Sequence, residues 1–131
     1  MKIIFILLIF IFSNIASAEN LNFKKLVDLS DPWGSTFVDE NNLLITEKGG
    51  AIKLINLKTK NINLINHNLN FLEYGQGGLL DILFDKNFVY VSYSENRGNW
   101  KTSTSIARAK YDITNLIFKN IFQANPPIDS G

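Results

Sequence analysis

The segment Phe37-Val38-Asp39-Glu40-Asn41-Asn42-Leu43-Leu44-Ile45-Thr46 returns in character as Leu83-Phe84-Asp85-Lys86-Asn87-Phe88-Val89-Tyr90-Val91-Ser92, at an offset of 46 residues. Each copy is an apolar run, an Asp-x-Asn turn and a second apolar run. Four short strands per ~40–50 residues is the period of a β-propeller blade. Blades bury both faces against neighbours, which suits the consecutive apolar residues Leu43-Leu44-Ile45 better than a half-exposed alternating strand would. The other fold consistent with the repeat is a single eight-stranded sandwich.

The rest of the pattern is read around this repeat. Thr36 to Val38, Leu43 to Thr46, Ala51 to Leu57 and Ile62 to Ile65 are strand candidates. Asp39 to Asn42, Lys48-Gly49-Gly50 and Lys58 to Asn61 are the turns between them. A second round has Leu79 to Phe84, Phe88 to Tyr93 and Thr102 to Tyr111, with Leu116 to Phe122 as its fourth strand. Glu95 to Lys101 and the tail Pro126 to Gly131 are expected to be loops. No sustained helical period follows residue 18, so the expected class is all-β. Two such rounds are a fraction of a propeller, which has typically 4–8 blades. The chain also ends in a loop sequence, and it is expected to be an incomplete portion of a longer protein.

Residues 1–18 read as a signal peptide. Lys2 provides the positive start, Ile3 to Phe12 the apolar stretch, and Ala16-Ser17-Ala18 the small-residue cleavage site. Ser13 and Asn14 interrupt the apolar stretch well short of the ~20 residues of a membrane span. No stable membrane span is expected. Residues 19–131 form the second unit, placed in the periplasm or outside the cell.

Composition narrows the chemistry. There is no cysteine and one histidine, His67. Disulfide scaffolds, thiolate metal sites and cysteine nucleophiles are excluded, as is any metal site built on several histidines of this chain. The 13 basic and 12 acidic residues give a net charge of +1, which is no footprint for nucleic acid. His67 lies in the polar stretch Asn66-His67-Asn68 without a nucleophile elbow, and reads as a solvated loop residue. Asp39/Asn41 and Asp85/Asn87 lack the further ligands of a calcium loop and read as turns. Trp33 and Trp100 are candidates to stack on a sugar, and equally to pack.

Gly75-Gln76-Gly77-Gly78 is the most distinctive cluster. Leu80 replaces the last glycine of a dinucleotide fingerprint, and no Lys-Ser or Lys-Thr follows to make a P-loop. Three glycines allow a sharp turn and close backbone approach. The one side chain they display is Gln76, a donor and acceptor together. An inter-blade turn and a ligand-facing loop both fit.

Asp31-Pro32-Trp33-Gly34, Leu44 to Gly50, Gly75-Gln76-Gly77-Gly78-Leu79-Leu80-Asp81-Ile82, Val89 to Glu95 and Ile106-Ala107-Arg108-Ala109 occur in that order. Together they resemble the N-terminal part of the soluble glucose/sorbosone (aldose sugar) dehydrogenases, from about Lys25 to the end. The resemblance implies the first two blades or so of a six-bladed β-propeller using pyrroloquinoline quinone and calcium. It implies oxidation of an aldose at the anomeric carbon to the lactone, with hydride passing to the quinone and on to an electron acceptor. It places Gln76 in the pocket for sugar and quinone, with Gly75, Gly77 and Gly78 as its supporting loop. It puts the histidine base just beyond Gly131, so the chain alone is expected to be inactive, and it puts the calcium ligands downstream as well. His67 does not match that base. Propellers without catalysis also exist, so a secreted binding or interaction module is the competing class.

Overall fold

The structure, a computed structural model, describes residues 21–130. The signal segment with its Ala18 cleavage point lies outside the described residues, as does Gly131. The described residues form ten strands and no helix.

The first four strands are an antiparallel meander: β1 (Pro32–Asp39), β2 (Asn42–Glu47), β3 (Ile52–Asn56) and β4 (Ile62–His67). Side chains shape their turns. The Asp39 carboxylate accepts the Asn41 backbone N–H at 2.8 Å and both oxygens take the Asn42 amide. Asn56 Oδ1 accepts the backbone N–H groups of Lys58 and Thr59. These are the local bonds by which Asp and Asn favour turns over ladders.

The second meander is β5 (Leu79–Asp85), β6 (Phe88–Asn96) and β7 (Lys101–Lys110). Lys86 and Asn87 join β5 to β6 with φ of 46° and 69°. Positive φ at both central residues marks the type I′ turn that matches strand twist.

The fourth strand of this round is not the single Leu116–Phe122 stretch that the sequence suggests. β8 (Asn115–Leu116) crosses to the first sheet and pairs parallel with β4, through Asn66 opposite Asn115. β9 (Lys119–Gln123) then pairs with β7. The tail is not all loop either, since β10 (Ile128–Asp129) continues on the same edge of β7, Ile128 opposite Thr102. Pro126 and Pro127, which cannot donate to a ladder, separate the two pieces. The expected loop over Glu95 to Lys101 is also shorter, because β6 runs to Asn96 and β7 starts at Lys101.

The two sheets pack face to face as consecutive propeller blades. Leu44, Ile52 and Ile65 of the first meet Leu79, Ile82, Val89, Val91 and Tyr93 of the second. On β7 the inward face is the small one, Ser103, Ser105, Ala107 and Ala109, which lets the large aliphatics opposite come close. Leu116 and Phe118 close one end. Backbone contact is also close between β1 and β5, where a Cβ added to Gly34 would lie 2.7 Å from the Asp81 Cα. Thr46 Oγ1 donates to the Leu80 carbonyl at 2.5 Å, and the Phe84 N–H donates to Thr36 Oγ1. The outward faces remain apolar: Phe37 and Leu64 on the first blade and Leu83 on the second are each more than half exposed.

Candidate functional site

Four chain segments converge at one end of the two blades: the β2–β3 turn, the Gly75–Gly78 loop, the β6–β7 turn and β10. The convergence is built from backbone. Leu79 N–H donates to the Lys48 carbonyl at 3.1 Å, and Ser94 N–H to the Gly78 carbonyl at 2.9 Å. Gly78, at φ 146°, has the Lys48 carbonyl oxygen 2.3 Å from where a Cβ would be. Only glycine permits that approach. Gly77 N–H closes a tight turn on the Tyr74 carbonyl at 2.7 Å, with Gly75 at φ 53° and open space around it. The loop is therefore anchored through Gly78 at its base and free at its tip, where Gln76 stands exposed.

Gln76 lines an open cleft of about 330 Å³ with Leu72, Tyr74, Ser94, Thr102, Ile128 and Asp129. A second hollow of about 400 Å³ adjoins it, formed by Tyr74, Trp100, Asp129 and Ser130. The glycine cluster is thus an inter-blade turn, one of the two roles that the sequence left open, and its tip displays Gln76 at a cleft. Trp100 is not a packing residue. It is 70% exposed, and its ring meets Tyr74 edge-on, ring centroids 6.2 Å apart. Trp33 is 46% exposed, and it lies apart from the cleft lining.

Two carboxylates frame this end of the molecule, Glu47 buried and Glu95 partly buried. Glu47 accepts the Ser30 N–H and the Lys53 ammonium, each at 2.7 Å. Burial pushes its carboxyl up, but the Lys53 and Ser30 hydrogen bonds and the Lys53 charge outweigh that and hold it below the usual range. Glu95 accepts Ser105 Oγ at 2.6 Å, Asn120 Nδ2 at 3.0 Å and Gln123 Nε2 at 2.8 Å, with Arg97 3.8 Å away. Burial again raises its carboxyl, and these donors with the Arg97 charge bring it below the usual range. Tyr93 adds its hydroxyl to Asn120 Oδ1 at 2.7 Å. Glu95 thereby ties β9 to β6 and β7. Neither glutamate was singled out from sequence, though Glu47 follows directly on the run Leu43-Leu44-Ile45-Thr46, where a carboxylate needs a structural reason.

His67 corrects the solvated-loop reading. It ends β4, half-buried, where the regular strand continues past the apolar run. Leu69 N–H donates to Nδ1, so the proton sits on Nε2, which donates to the Gly50 carbonyl at 2.7 Å. Both ring nitrogens are committed to backbone, and the ring braces the β2–β3 turn. Asp39 acts as a turn former, as its spacing suggested. Among the described residues, no group of three or more His, Cys, Asp or Glu side chains gathers at one point.

Pyrroloquinoline quinone is a tricarboxylate, and its rim calls for cations. The residues lining the cleft include no Lys or Arg and one acid, Asp129. This set does not fit the charged rim of that cofactor. It fits neutral hydroxyls.

Comparison with known proteins bears on the family and the fold. The family model described as Glucose / Sorbosone dehydrogenase matches residues 29–131. Aldose sugar dehydrogenase YliI of Escherichia coli (strain K12) is 27% identical over 126 residues, 88% of this chain and 34% of that protein. A crystal structure of a glucose dehydrogenase superposes with a TM-score of 0.76 at 30% identity, covering 82% of this chain and 34% of the other. The apo form of the soluble Escherichia coli aldose sugar dehydrogenase superposes at 0.71 and 25% identity, covering 79% and 32%. The PQQ-bound form of the Streptomyces coelicolor enzyme, at 22% identity and a TM-score of 0.66 over 76% and 32%, bears on the fold alone. The chain spans about a third of the length of these relatives, and over that span it belongs to the glucose/sorbosone dehydrogenase family.

Proposed function

We propose that the protein to which this chain contributes is an exported, pyrroloquinoline quinone-dependent dehydrogenase that oxidises an aldose at the anomeric carbon to the lactone. The observation that carries the reading is the placement of Gln76. A glycine turn anchored on the neighbouring blade holds this one amide at the wall of a cleft whose one charged lining residue is Asp129. An amide both donates and accepts, as a sugar hydroxyl does. In this reading Gln76 binds and orients the sugar, while Tyr74 and Leu72 shield the cleft from water on one side.

The quinone supplies the two-electron acceptor when bound. Its cationic partners, the calcium ligands and the histidine that takes the hydroxyl proton belong, in this proposal, to sequence beyond Gly131. Residues 1–18 direct export and are removed after Ala18, placing the protein in the periplasm or outside the cell.

The test uses the full-length protein with the quinone and calcium added, following dye reduction with a panel of aldoses. Turnover of aldoses is expected. Gln76→Ala removes one polar contact worth about 1–3 kcal/mol. That is roughly one to two decades in kcat/KM at about 1.4 kcal/mol per decade, with the melting temperature unchanged. Absence of turnover with every aldose overturns the function. Unchanged kcat/KM with a lowered melting temperature makes Gln76 structural.

A further inference from the structure

Past Tyr93 the end of β6 has no β5 strand beside it, because the β5–β6 register stops at Leu79 opposite Tyr93. The Gln76 loop takes that place. Leu72 N–H donates to the Ser94 carbonyl and Ser94 N–H to the Gly78 carbonyl, each at 2.9 Å. Both ends of the loop thus rest on one residue. Asn96 N–H adds a bond to the Asn70 carbonyl at 3.0 Å. Where this end of β6 stands therefore decides where the loop stands.

The side chain between Ser94 and Asn96 holds it there. Val89, Val91 and Tyr93 face the core, and Glu95 is the next residue on that face of β6. There a carboxylate replaces the apolar contacts. Charge-assisted hydrogen bonds are the strong ones, and its two oxygens take them from Ser105 on β7 and from Asn120 and Gln123 on β9. Arg97, two residues on, reaches Ser103 Oγ at 2.9 Å and Asn125 Oδ1 at 3.4 Å. From Asn125 the chain passes into β10, whose Ile128 and Asp129 line the same cleft as Gln76. The β6–β7 turn that follows Arg97 holds Asn99 and Trp100 at φ of 50° and 56°. A bulky residue in that region is strained, and such backbone persists where its surroundings over-determine it. The bonds of Glu95 and Arg97 fix the base of the turn in that way.

We propose that Glu95 is a positioning residue for the reaction: by fixing the end of β6 to β7 and β9, its carboxylate sets where Gln76 meets the sugar. The proposal deepens the function proposed above and rests on it for the role of Gln76. A role confined to seating β9 lowers stability alone. A positioning role also couples Glu95 energetically to Gln76, although the Glu95 side chain is no part of the cleft lining.

Two measurements on the full-length protein test this. The first is a double-mutant cycle read by aldose turnover. Glu95→Ala is expected to lower kcat/KM about tenfold in the wild-type background, as misplacement of a binding group does. In the Gln76→Ala background it is expected to lower kcat/KM less than about twofold, because nothing is left to position. A loss by the same factor in both backgrounds, or none in wild type, overturns the proposal. Glu95→Gln, which keeps the length and removes the charge, repeats the cycle should the alanine variant not fold. The second measurement is amide hydrogen exchange. Peptides covering residues 72–78 are expected to exchange at least about tenfold faster in the Glu95 variant, while those of β2 and β3 stay within about twofold of wild type. This second readout needs no turnover, so it separates the two proposals. Faster exchange confined to the second blade and its loop supports the positioning role even where wild type oxidises no aldose. Exchange unchanged at residues 72–78, or raised equally in both blades, overturns it.

Discussion

The two blades each turn from their second to their third strand with a three-residue loop at the same end of the molecule, and the loops do opposite things. In the first, Glu47 N–H donates to the Ala51 carbonyl and Lys48, Gly49 and Gly50 lie between. In the second, Arg97 N–H donates to the Lys101 carbonyl and Gly98, Asn99 and Trp100 lie between. The first loop is enclosed. A Cβ on Gly50 would meet the Phe71 ring at 2.1 Å, the Lys48 carbonyl takes Leu79, and His67 takes the Gly50 carbonyl. The second projects, and a Cβ on Gly98 would meet nothing within 4 Å. One hairpin end seats the next blade while the other presents side chains to solvent. The repeat conserves the strands and leaves the loop to be used either way.

The largest effect is expected where the enclosed loop meets the inter-blade loop. Gly78→Ala puts a methyl group 2.3 Å from a backbone oxygen that cannot rotate away, at a φ of 146°. A loss of about 4 kcal/mol is expected in the full-length protein, measured by urea unfolding. A loss below about 1 kcal/mol would mean that the two loops are not in register as described.

Next comes the carboxylate bracing the first loop. Glu47→Ala leaves Lys53 without its partner and the Ser30 N–H without an acceptor. About 2–3 kcal/mol is expected. The same pair predicts a pH dependence. Both Glu47 and Glu95 are held below the ordinary carboxyl value in the folded state. Their contribution is complete above the unfolded value, about 4.3, and is lost as pH falls through the lower folded values. Stability is therefore expected to hold from neutrality down to about pH 5 and to fall in more acidic solution. Glu47→Gln should flatten part of that fall. A profile that Glu47→Gln leaves unchanged would locate the acid sensitivity elsewhere.

Much of this arrangement was legible in the residues. Consecutive apolar runs broken by Asp-x-Asn and Gly-Gly turns suit stacked meanders, and the repeat at 46 residues matched a blade period while leaving an eight-stranded sandwich open, a choice that the family resemblance decided. The glycine loop was legible because three glycines in four positions have few other uses. The second half of the last strand was not. β8 and β10 are two residues each, too short for any period, and their pairing depends on partners far away in sequence. His67 was misread because its partners are backbone groups of another hairpin, invisible to side-chain spacing. Trp100 was undecided because a tryptophan reads as core until its φ is known. Glu95 went unnoticed because its donors come from two other strands, β7 and β9, 10 to 28 residues further along the chain.

The smallest effect tests the tip of the same loop whose base is most sensitive. Gly75 and Gly78 are three residues apart, both at positive φ, yet only Gly78 is crowded. At Gly75 a methyl group would point into open space, so Ala there meets only the backbone penalty of the left-handed region, about 1 kcal/mol. Asn, whose short side chain tolerates that region, should cost less still. Neither change touches the Gly77 N–H to Tyr74 carbonyl bond that closes the turn, so Gln76 keeps its place and kcat/KM for the aldose should stay within about twofold of wild type in the Asn variant. A Gly75→Asn protein as unstable as Gly78→Ala would mean that the tip is packed in the full-length protein. A Gly75→Asn protein of normal stability and much reduced turnover would mean that the tip contacts substrate through its backbone. The difference between the two glycines would then be one of chemistry as well as space.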